Sequence, residues 1–241
     1  MAIDQAAPRT RGTFGAALLG GIVGAALTAL VILFAVPHYL SGKIVRQGMM
    51  ADPQILADTA EALRDSQYAP VIAANKAALE TPFGSSWKGS AKPDVTLVEF
   101  FDYACPYCKA SNPAVDRLVQ EDKGVRVVYR ELPILGPNSV TAARLSLEAS
   151  KAGHFAAFHD ALWAAGRPAP DTIAAAAKAA GVPPEPTPDA AIEAELKRNF
   201  QLAGQLGATG TPLFVVGDRV VNAAISYDAL KKAVAAAREK A

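Results

Sequence analysis

The sequence predicts an α/β domain that follows a long apolar N-terminal segment. Two runs rich in β-branched and aromatic residues, 95–101 and 125–130, flank a helical stretch, and this strand-helix-strand order is that of a parallel α/β sheet. Both cysteines of the chain lie at the start of that helix. With 241 residues, the chain has room for one main globular unit and accessory segments.

The composition excludes several classes of function. The chain has 24 Lys and Arg residues against 23 Asp and Glu residues, so no basic field indicates a nucleic-acid partner. The two cysteines share one Cys-x-x-Cys motif, which excludes a scaffold held by several disulfides. The pair is therefore either a redox centre or half of a metal site.

The N-terminal region predicts a membrane anchor. Residues 13–40 contain no Asp, Glu, Lys or Arg, and such a run spans a bilayer core of about 30 Å at about 1.5 Å per residue. A cleaved signal peptide has a shorter apolar run of about 7–15 residues, so an uncleaved helix is favoured. Basic residues precede and follow the segment, which leaves its orientation open.

The next segment, 41–80, predicts two short amphipathic helices that begin near Pro53 and Pro70. It is either a spacer or, through residues 44–80, a surface for homo-oligomerisation, because exposed apolar stripes favour association. The following stretch, 81–93, is rich in Pro, Gly and Ser and predicts a linker.

Downstream of the second strand, helical periodicity over about 139–200 predicts an inserted helical subdomain. The proline cluster 183–188 predicts an extended loop within it. A hairpin over 213–221 and a terminal helix from about Ser226 then complete the sheet.

The cysteine motif has the arrangement that thiol chemistry requires. A cysteine that follows a strand and starts a helix faces unpaired N–H groups and the positive end of the helix dipole, which stabilise its thiolate. Cys105 has this position. Cys108 follows one turn later on the same face, and Pro106 suits the first helical turn because it has no N–H to leave unpaired.

The stretch 98–109, Val-Glu-Phe-Phe-Asp-Tyr-Ala-Cys-Pro-Tyr-Cys-Lys, resembles the active-site segment of the DsbA family of thiol-disulfide oxidoreductases. The resemblance covers residues 94–241 and extends to 132–137 and 210–212. It implies a thioredoxin-like fold with an inserted helical subdomain. Within the family, the chain is most similar to the suppressor-of-copper-sensitivity and Com1-like branch, whose N-terminal helical segment resembles residues 53–79.

The resemblance also implies roles for site residues. Cys105 is expected to be the nucleophile and Cys108 the resolving thiol, together forming the redox-active disulfide. Pro212 matches the family's cis-proline, and the backbone of Thr211 is expected to pair with a substrate strand.

Three further residues are expected to support this pair. Glu99 matches an acidic residue below the cysteines that transfers a proton with Cys108; alternatively, it is a half-exposed residue at a strand end. Pro106 and Tyr107 separate the cysteines. Tyr107 replaces the histidine of strongly oxidising members, which removes an imidazole that stabilises thiolate.

A zinc site is the alternative use of the motif, and it requires two more ligands. His154 and His159 are five residues apart, so on one helix they point about 140° apart at roughly 100° per residue. His38 lies at the membrane boundary. No metal and no organic cofactor are therefore expected.

These observations together predict an envelope thiol-disulfide oxidoreductase. Its substrates are proteins with thiols or disulfides, and a membrane redox partner is expected. Cytosolic disulfides are rare, so the domain is expected in the periplasm, held by a single span in the bacterial inner membrane with residues 1–12 in the cytoplasm. Oxidase, isomerase and reductase directions stay open. The alternative is a module that binds copper(I) or docks a partner without turnover.

Overall fold

The computed structural model of the protein describes residues 24–25, 27–34 and 41–240. The chain divides into two compact units, Met1–Glu61 and Ala62–Ala241. In the first unit, helix α1 spans Ser41–Ala51. Most of the predicted anchor, 13–40, lies outside the described residues, and within those described no helix is both long enough and apolar enough to cross a bilayer.

Helix α2 spans Gln54–Glu80 without a break at Pro70. The prediction of a separate short helix after Pro70 is therefore wrong. A proline inside a helix removes one hydrogen bond, but Pro70 is exposed, so the carbonyl it leaves unpaired can be solvated. Tyr68 precedes Pro70 and Ile72 follows it, and both pack in the same apolar cluster, which holds the helix on either side of the proline.

The sheet of the second unit has the strand order β1-β3-β2-β4-β5. The strands are β1 Trp87–Gly89, β2 Val95–Phe101, β3 Val125–Glu131, β4 Leu213–Val216 and β5 Arg219–Val221. β2 and β3 are parallel, as the strand-helix-strand pattern predicts, and the other pairs are antiparallel.

Strand β1 corrects the predicted linker. Trp87 pairs with Val128 and Gly89 with Arg126, so part of the segment 81–93 forms the edge of the sheet. The Gly, Ser and Pro residues around it are typical of loops, but a short edge strand is stabilised by its partner strand rather than by its own propensity.

Helices cover both faces of the sheet. Helix α3 spans Pro106–Glu121 and helix α8 spans Tyr227–Glu239. Along β2, side chains alternate in direction. Leu97 and Phe101 pack in the cluster with α3 and α8, whereas Phe100 packs in the opposite cluster with α2.

The inserted helical subdomain is confirmed. Its helices are α4 Pro137–Lys151, α5 Phe155–Ala165, α6 Pro170–Ala180 and α7 Ala190–Gln205. The proline cluster forms the loop between α6 and α7. The predicted hairpin and terminal helix are also present; Gly217 makes the turn with φ of 55°, and the hydroxyl of Ser226 caps α8 by accepting from the Ala229 N–H at 3.3 Å.

A buried arginine joins these layers. Arg130 on β3 forms an ion pair with Glu195 on α7 at 2.7 Å and donates to Asn199 at 3.0 Å. On its other side, the guanidinium donates to the carbonyls of Leu79 and Thr81, at and just beyond the end of α2. It thereby satisfies carbonyls that a helix end leaves unpaired and fastens both α2 and α7 to the sheet.

Candidate active site

Cys105 lies at the N-cap of α3, four residues after β2 ends. Its backbone is extended, with φ of −81° and ψ of 119°, and Pro106 follows as the first helical residue. The first-turn N–H groups of a helix have no partner within the helix. The predicted position of Cys105 at the start of the helix, where the dipole of α3 has its positive end, is therefore observed.

The buried carboxylate of Asp102 holds the loop that leads to Cys105. One oxygen accepts the N–H of Ala104 at 2.7 Å, and the other accepts the N–H groups of Ile134 and Leu135 at 2.8 and 2.9 Å. The carboxylate thus joins the loop after β2 to the loop after β3. Parallel strands place their carboxyl ends at the same edge, which brings these two loops together.

Opposite Cys105, the peptide bond between Thr211 and Pro212 is cis, as the resemblance implied. The Cys105 thiol donates to the carbonyl oxygen of Thr211 at 3.1 Å. The loop before β4 therefore directly faces the reactive-cysteine candidate, at the position expected for substrate pairing.

The two cysteines differ in environment. Both are free thiols; Cys105 retains 4% of its accessible surface, whereas Cys108 is fully buried. Burial raises the pKa of the Cys108 thiol well above its ordinary value, and the negative charge of Glu99 raises it further. Cys108 therefore stays protonated at neutral pH unless a neighbouring group accepts its proton.

Glu99 is buried, and the alternative of a half-exposed strand end is wrong. It shares the face of β2 occupied by Leu97 and Phe101, beneath α3, because strand residues two apart point the same way. Within the described chain, neither of its carboxyl oxygens has a hydrogen-bond partner. Burial raises its pKa to about 8, and the charge of Asp116 contributes to the rise.

A charge cluster on the edge of the sheet moderates this shift. Lys88 of β1 forms ion pairs with Asp160 at 2.6 Å and with Asp116 at 3.2 Å. The Lys88 ammonium lowers the pKa of Glu99 while Asp116 raises it. The edge strand therefore carries the positive charge that partly balances the buried carboxyl group.

A polar chain runs from the active-site loop into the helical subdomain. Trp163 Nε1 donates to Nε2 of the buried His159 at 3.2 Å, and Nδ1 of His159 lies 3.2 Å from the Tyr103 hydroxyl. Burial lowers the pKa of His159 well below its ordinary value, so the ring is neutral at neutral pH. Tyr103 contacts Ser146 of α4 at 3.0 Å.

A pocket of about 250 Å³ opens beside Cys105. Its walls come from the loop before α3, from α3 itself and from the end of α5. Eight residues line it: Tyr103, Ala104, Cys105, Pro106, Lys109, Trp163, Gly166 and Arg167. Tyr107, in the first turn of α3, does not line this pocket and has 65% of its surface exposed.

Of the predicted site residues, the structure brings together Glu99, Cys105, Cys108, Thr211 and Pro212 around the start of α3. Sequence reasoning assigned no role to Asp102 or Lys88. An aspartate directly after a strand and two residues before a backbone donor is a signal for an Asx turn, so Asp102 was detectable. Lys88 had no signal, because its strand was not predicted.

The histidines do not form a metal site with the cysteines in the described structure. His154 is the residue before α5, and its Nδ1 lies 2.8 Å from the carbonyl oxygen of Ala180, while His159 lies among aromatic rings. Among the described residues, no group of three or more potential ligands comes together.

Residues 96–235 match the family described as the DSBA-like thioredoxin domain, and they make up more than half of the chain. The chain belongs to this family. The resemblance expected from the active-site stretch is thereby confirmed.

Solved structures of the same fold support the assignment. A thioredoxin-like oxidoreductase from Silicibacter pomeroyi is 36% identical, with a TM-score of 0.63 over 69% of this chain and 99% of that chain. A periplasmic thioredoxin-like protein from Salmonella enterica serovar Typhimurium is 34% identical, with a TM-score of 0.63 over 68% of this chain and 95% of that chain. The catalytic domain of Proteus mirabilis ScsC is 27% identical, with a TM-score of 0.66 over 71% and 99%.

These likenesses establish the thioredoxin-like fold and the enzyme class. The chain is a thiol-disulfide oxidoreductase of the DsbA family and is similar to the ScsC branch. The family implies that its substrates are proteins with thiols or disulfides.

Two curated relatives of another class share a shorter stretch. The Na(+)/H(+) antiporters NhaA 3 of Salinispora tropica and NhaA 1 of Salinispora arenicola are 38% and 37% identical over 79 residues. The match covers 32% of this chain, which spans only 12% of each antiporter. A match of that extent carries no argument for ion transport.

We predict that Glu99→Gln changes the pH dependence of stability. Between about pH 4.5, the ordinary glutamate pKa, and about pH 8, folded protein retains a proton that the unfolded chain releases. The unfolding free energy of the natural protein should therefore fall by up to about 1.4 kcal/mol for each pH unit in this range. The amide does not titrate, so the variant should gain relative stability as pH rises.

Urea unfolding of the reduced proteins at several pH values measures this difference. Glu185→Gln, at an exposed position in the proline-rich loop, is the matched control and should follow the natural protein. A stability difference between Glu99→Gln and the natural protein that stays constant from pH 5 to pH 9 would contradict the buried, neutral Glu99.

Proposed function

We propose that Cys105 exchanges disulfides with protein substrates and that Cys108 resolves the mixed disulfide. The observation that carries this assignment is the asymmetry of the pair. Cys105 borders a pocket and faces Thr211, whereas Cys108 is fully buried behind it. A substrate sulfur can therefore approach Cys105 but not Cys108.

In the reducing direction, the Cys105 thiolate attacks one sulfur of a substrate disulfide. A bond between Cys105 and that sulfur forms, the substrate disulfide breaks, and the other substrate sulfur leaves as a thiolate. The Cys108 sulfur then attacks the Cys105 sulfur, which releases the second substrate thiolate and leaves a disulfide between Cys105 and Cys108. Two electrons pass to the substrate, and the oxidising direction is the reverse.

Glu99 is proposed to accept the proton of Cys108 in the resolving step. Proton transfer is most effective when the acceptor's pKa lies near the working pH, and burial places the Glu99 pKa at about 8. Its carboxylate, once ionised, has no competing hydrogen-bond donor among the described residues. Loss of the Cys108 proton to Glu99 also avoids two negative charges in one buried site.

Substrate is proposed to bind along the loop at Thr211. An extended segment that pairs with the backbone there has its cysteine beside the Cys105 sulfur, because the Thr211 carbonyl lies 3.1 Å from that sulfur. Pro212 and Tyr107 would border this segment, and Pro106 would line its approach from the adjacent pocket.

Cysteine variants separate these roles. Cys105→Ser should reduce insulin at the uncatalysed rate, because the attacking sulfur is lost. In Cys108→Ser, the Cys105 sulfur should still attack the substrate disulfide. The variant should then accumulate a mixed disulfide with substrate, which non-reducing gel electrophoresis detects. Adducts on Cys108 in the Cys105→Ser protein would contradict the assignment.

The alternative, copper(I) binding without turnover, predicts a different result. Two thiolates are the ligands that this ion favours, and the raised pKa of Cys108 opposes the second thiolate at neutral pH. Tight copper(I) binding together with no Cys105-dependent insulin reduction would favour the alternative and contradict exchange.

We further propose that the catalytic domain lies in the periplasm, anchored in the inner membrane by residues 13–40. Rare cytosolic disulfides and the charge-free N-terminal segment support this location. A membrane redox partner would then exchange electrons with Cys105. Alkaline phosphatase fused after Ala241 should be active and β-galactosidase inactive; the opposite pattern would place the domain in the cytosol.

The protein is proposed to self-associate through residues 44–80. Self-association in turn favours the isomerase or reductase direction of exchange. Ile44, Val45 and Leu56 expose more than half of their surface, and such apolar residues favour association. Serine at all three positions should lower the mass found by sedimentation in detergent, whereas Phe200→Ser on α7 should not. A monomeric natural protein with strong oxidase activity would contradict this proposal.

A further inference from the structure

The pocket beside Cys105 has walls of two kinds. Pro106 and the edge of Trp163 form apolar walls, while Lys109 of α3 and Arg167 after α5 supply cationic side chains. Thr211 does not line this pocket. The pocket is therefore a different surface from the loop at Thr211 that is proposed to pair with the substrate backbone. No Asp or Glu is among the lining residues.

Both cations are available for a ligand. Lys109 and Arg167 are exposed, and among the described residues neither side chain has an ion-pair or hydrogen-bond partner. The nearest acids, Asp116 and Asp160, line a neighbouring pocket with Lys109, and both are ion-paired with Lys88. Lys109 and Arg167 are therefore the charged side chains that line the pocket beside the sulfur, and both are cationic.

We propose that this pocket selects substrates with an acidic residue next to the reactive cysteine. The inference rests on the proposed exchange reaction of Cys105 and adds a specificity to it. When the substrate cysteine is joined to Cys105, its neighbouring side chain lies within reach of the pocket. A Glu side chain packs its methylenes against Trp163 and places its carboxylate between Lys109 and Arg167.

The charge preference should be moderate and sensitive to salt. Exposed ion pairs contribute little each, so two of them give a selectivity of about tenfold between acidic and basic neighbours. Screening shortens the range of such interactions from about 30 Å at 0.01 M salt to about 3 Å at 1 M. The selectivity should therefore decrease as salt is added.

The test uses the reduced full-length protein and three peptides, each with one cysteine. The residues on both sides of that cysteine are Glu in the first peptide, Gln in the second and Lys in the third, and the rest of the sequence is the same. Each cysteine carries 2-mercaptoethanol in a disulfide, and the second-order rate of its reduction is measured. The rate for each peptide is divided by the rate at which dithiothreitol reduces the same peptide, which removes differences in intrinsic reactivity between the peptides. The Glu peptide should be reduced about tenfold faster than the Lys peptide at low salt.

Charge variants identify the residues responsible. Lys109→Gln with Arg167→Gln should bring the Glu-to-Lys rate ratio close to one, and Lys109→Glu with Arg167→Glu should invert it. Lys178→Gln, an exposed lysine on α6 outside the pocket, should keep the natural ratio.

Two negative results have different meanings. Equal normalised rates for the three peptides, all lost in Cys105→Ser, would overturn the selectivity and leave the exchange reaction intact. Rates no faster than those of Cys105→Ser for every peptide would overturn the exchange reaction and, with it, the selectivity.

Discussion

The carboxylate of Asp102 is the constraint on which the geometry of the site depends. It binds three backbone N–H groups, one before Cys105 and two after β3, and is itself buried. Backbone donors that are buried without partners cost free energy, so this arrangement fixes both loops at once. The backbone of the same residue accepts the Cys105 N–H at 2.9 Å, so Asp102 positions the start of α3 through both its side chain and its carbonyl.

Beneath this loop, the protonation states of Glu99 and Cys108 depend on burial and on neighbouring charges. Glu99 and Cys108 are both buried, which raises the pKa of each, and a negative charge on Glu99 raises the pKa of Cys108 further. At neutral pH both groups therefore keep their protons, and the pair loses its first proton, from Glu99, only at about pH 8. Lys88 limits the effect from the edge of the sheet, while its ion pairs with Asp116 and Asp160 hold it in place.

The sequence predicted local features well and distant pairings poorly. Cys105, Cys108 and Glu99 belong to one continuous strand-turn-helix, whose periodicity and motif specify their positions. Strand β1 has three residues and forms only because β3 is already present, so no local pattern indicates it. At Pro70 the prediction was wrong for a different reason. Local propensity predicted a helix boundary there, but packing of the helix on both sides of the proline outweighed that propensity.

The contacts of Arg130 limit how far the chain can be shortened at its N-terminal side. The family match begins at residue 96, yet the guanidinium of Arg130 is satisfied in part by carbonyls at Leu79 and Thr81. A chain shortened to the matched region would leave a buried cation short of acceptors and would uncover the apolar surface beneath α2. The border of the family match and the border of the region that buries Arg130 are therefore different, and a shortened protein that keeps the core intact has to include the end of α2.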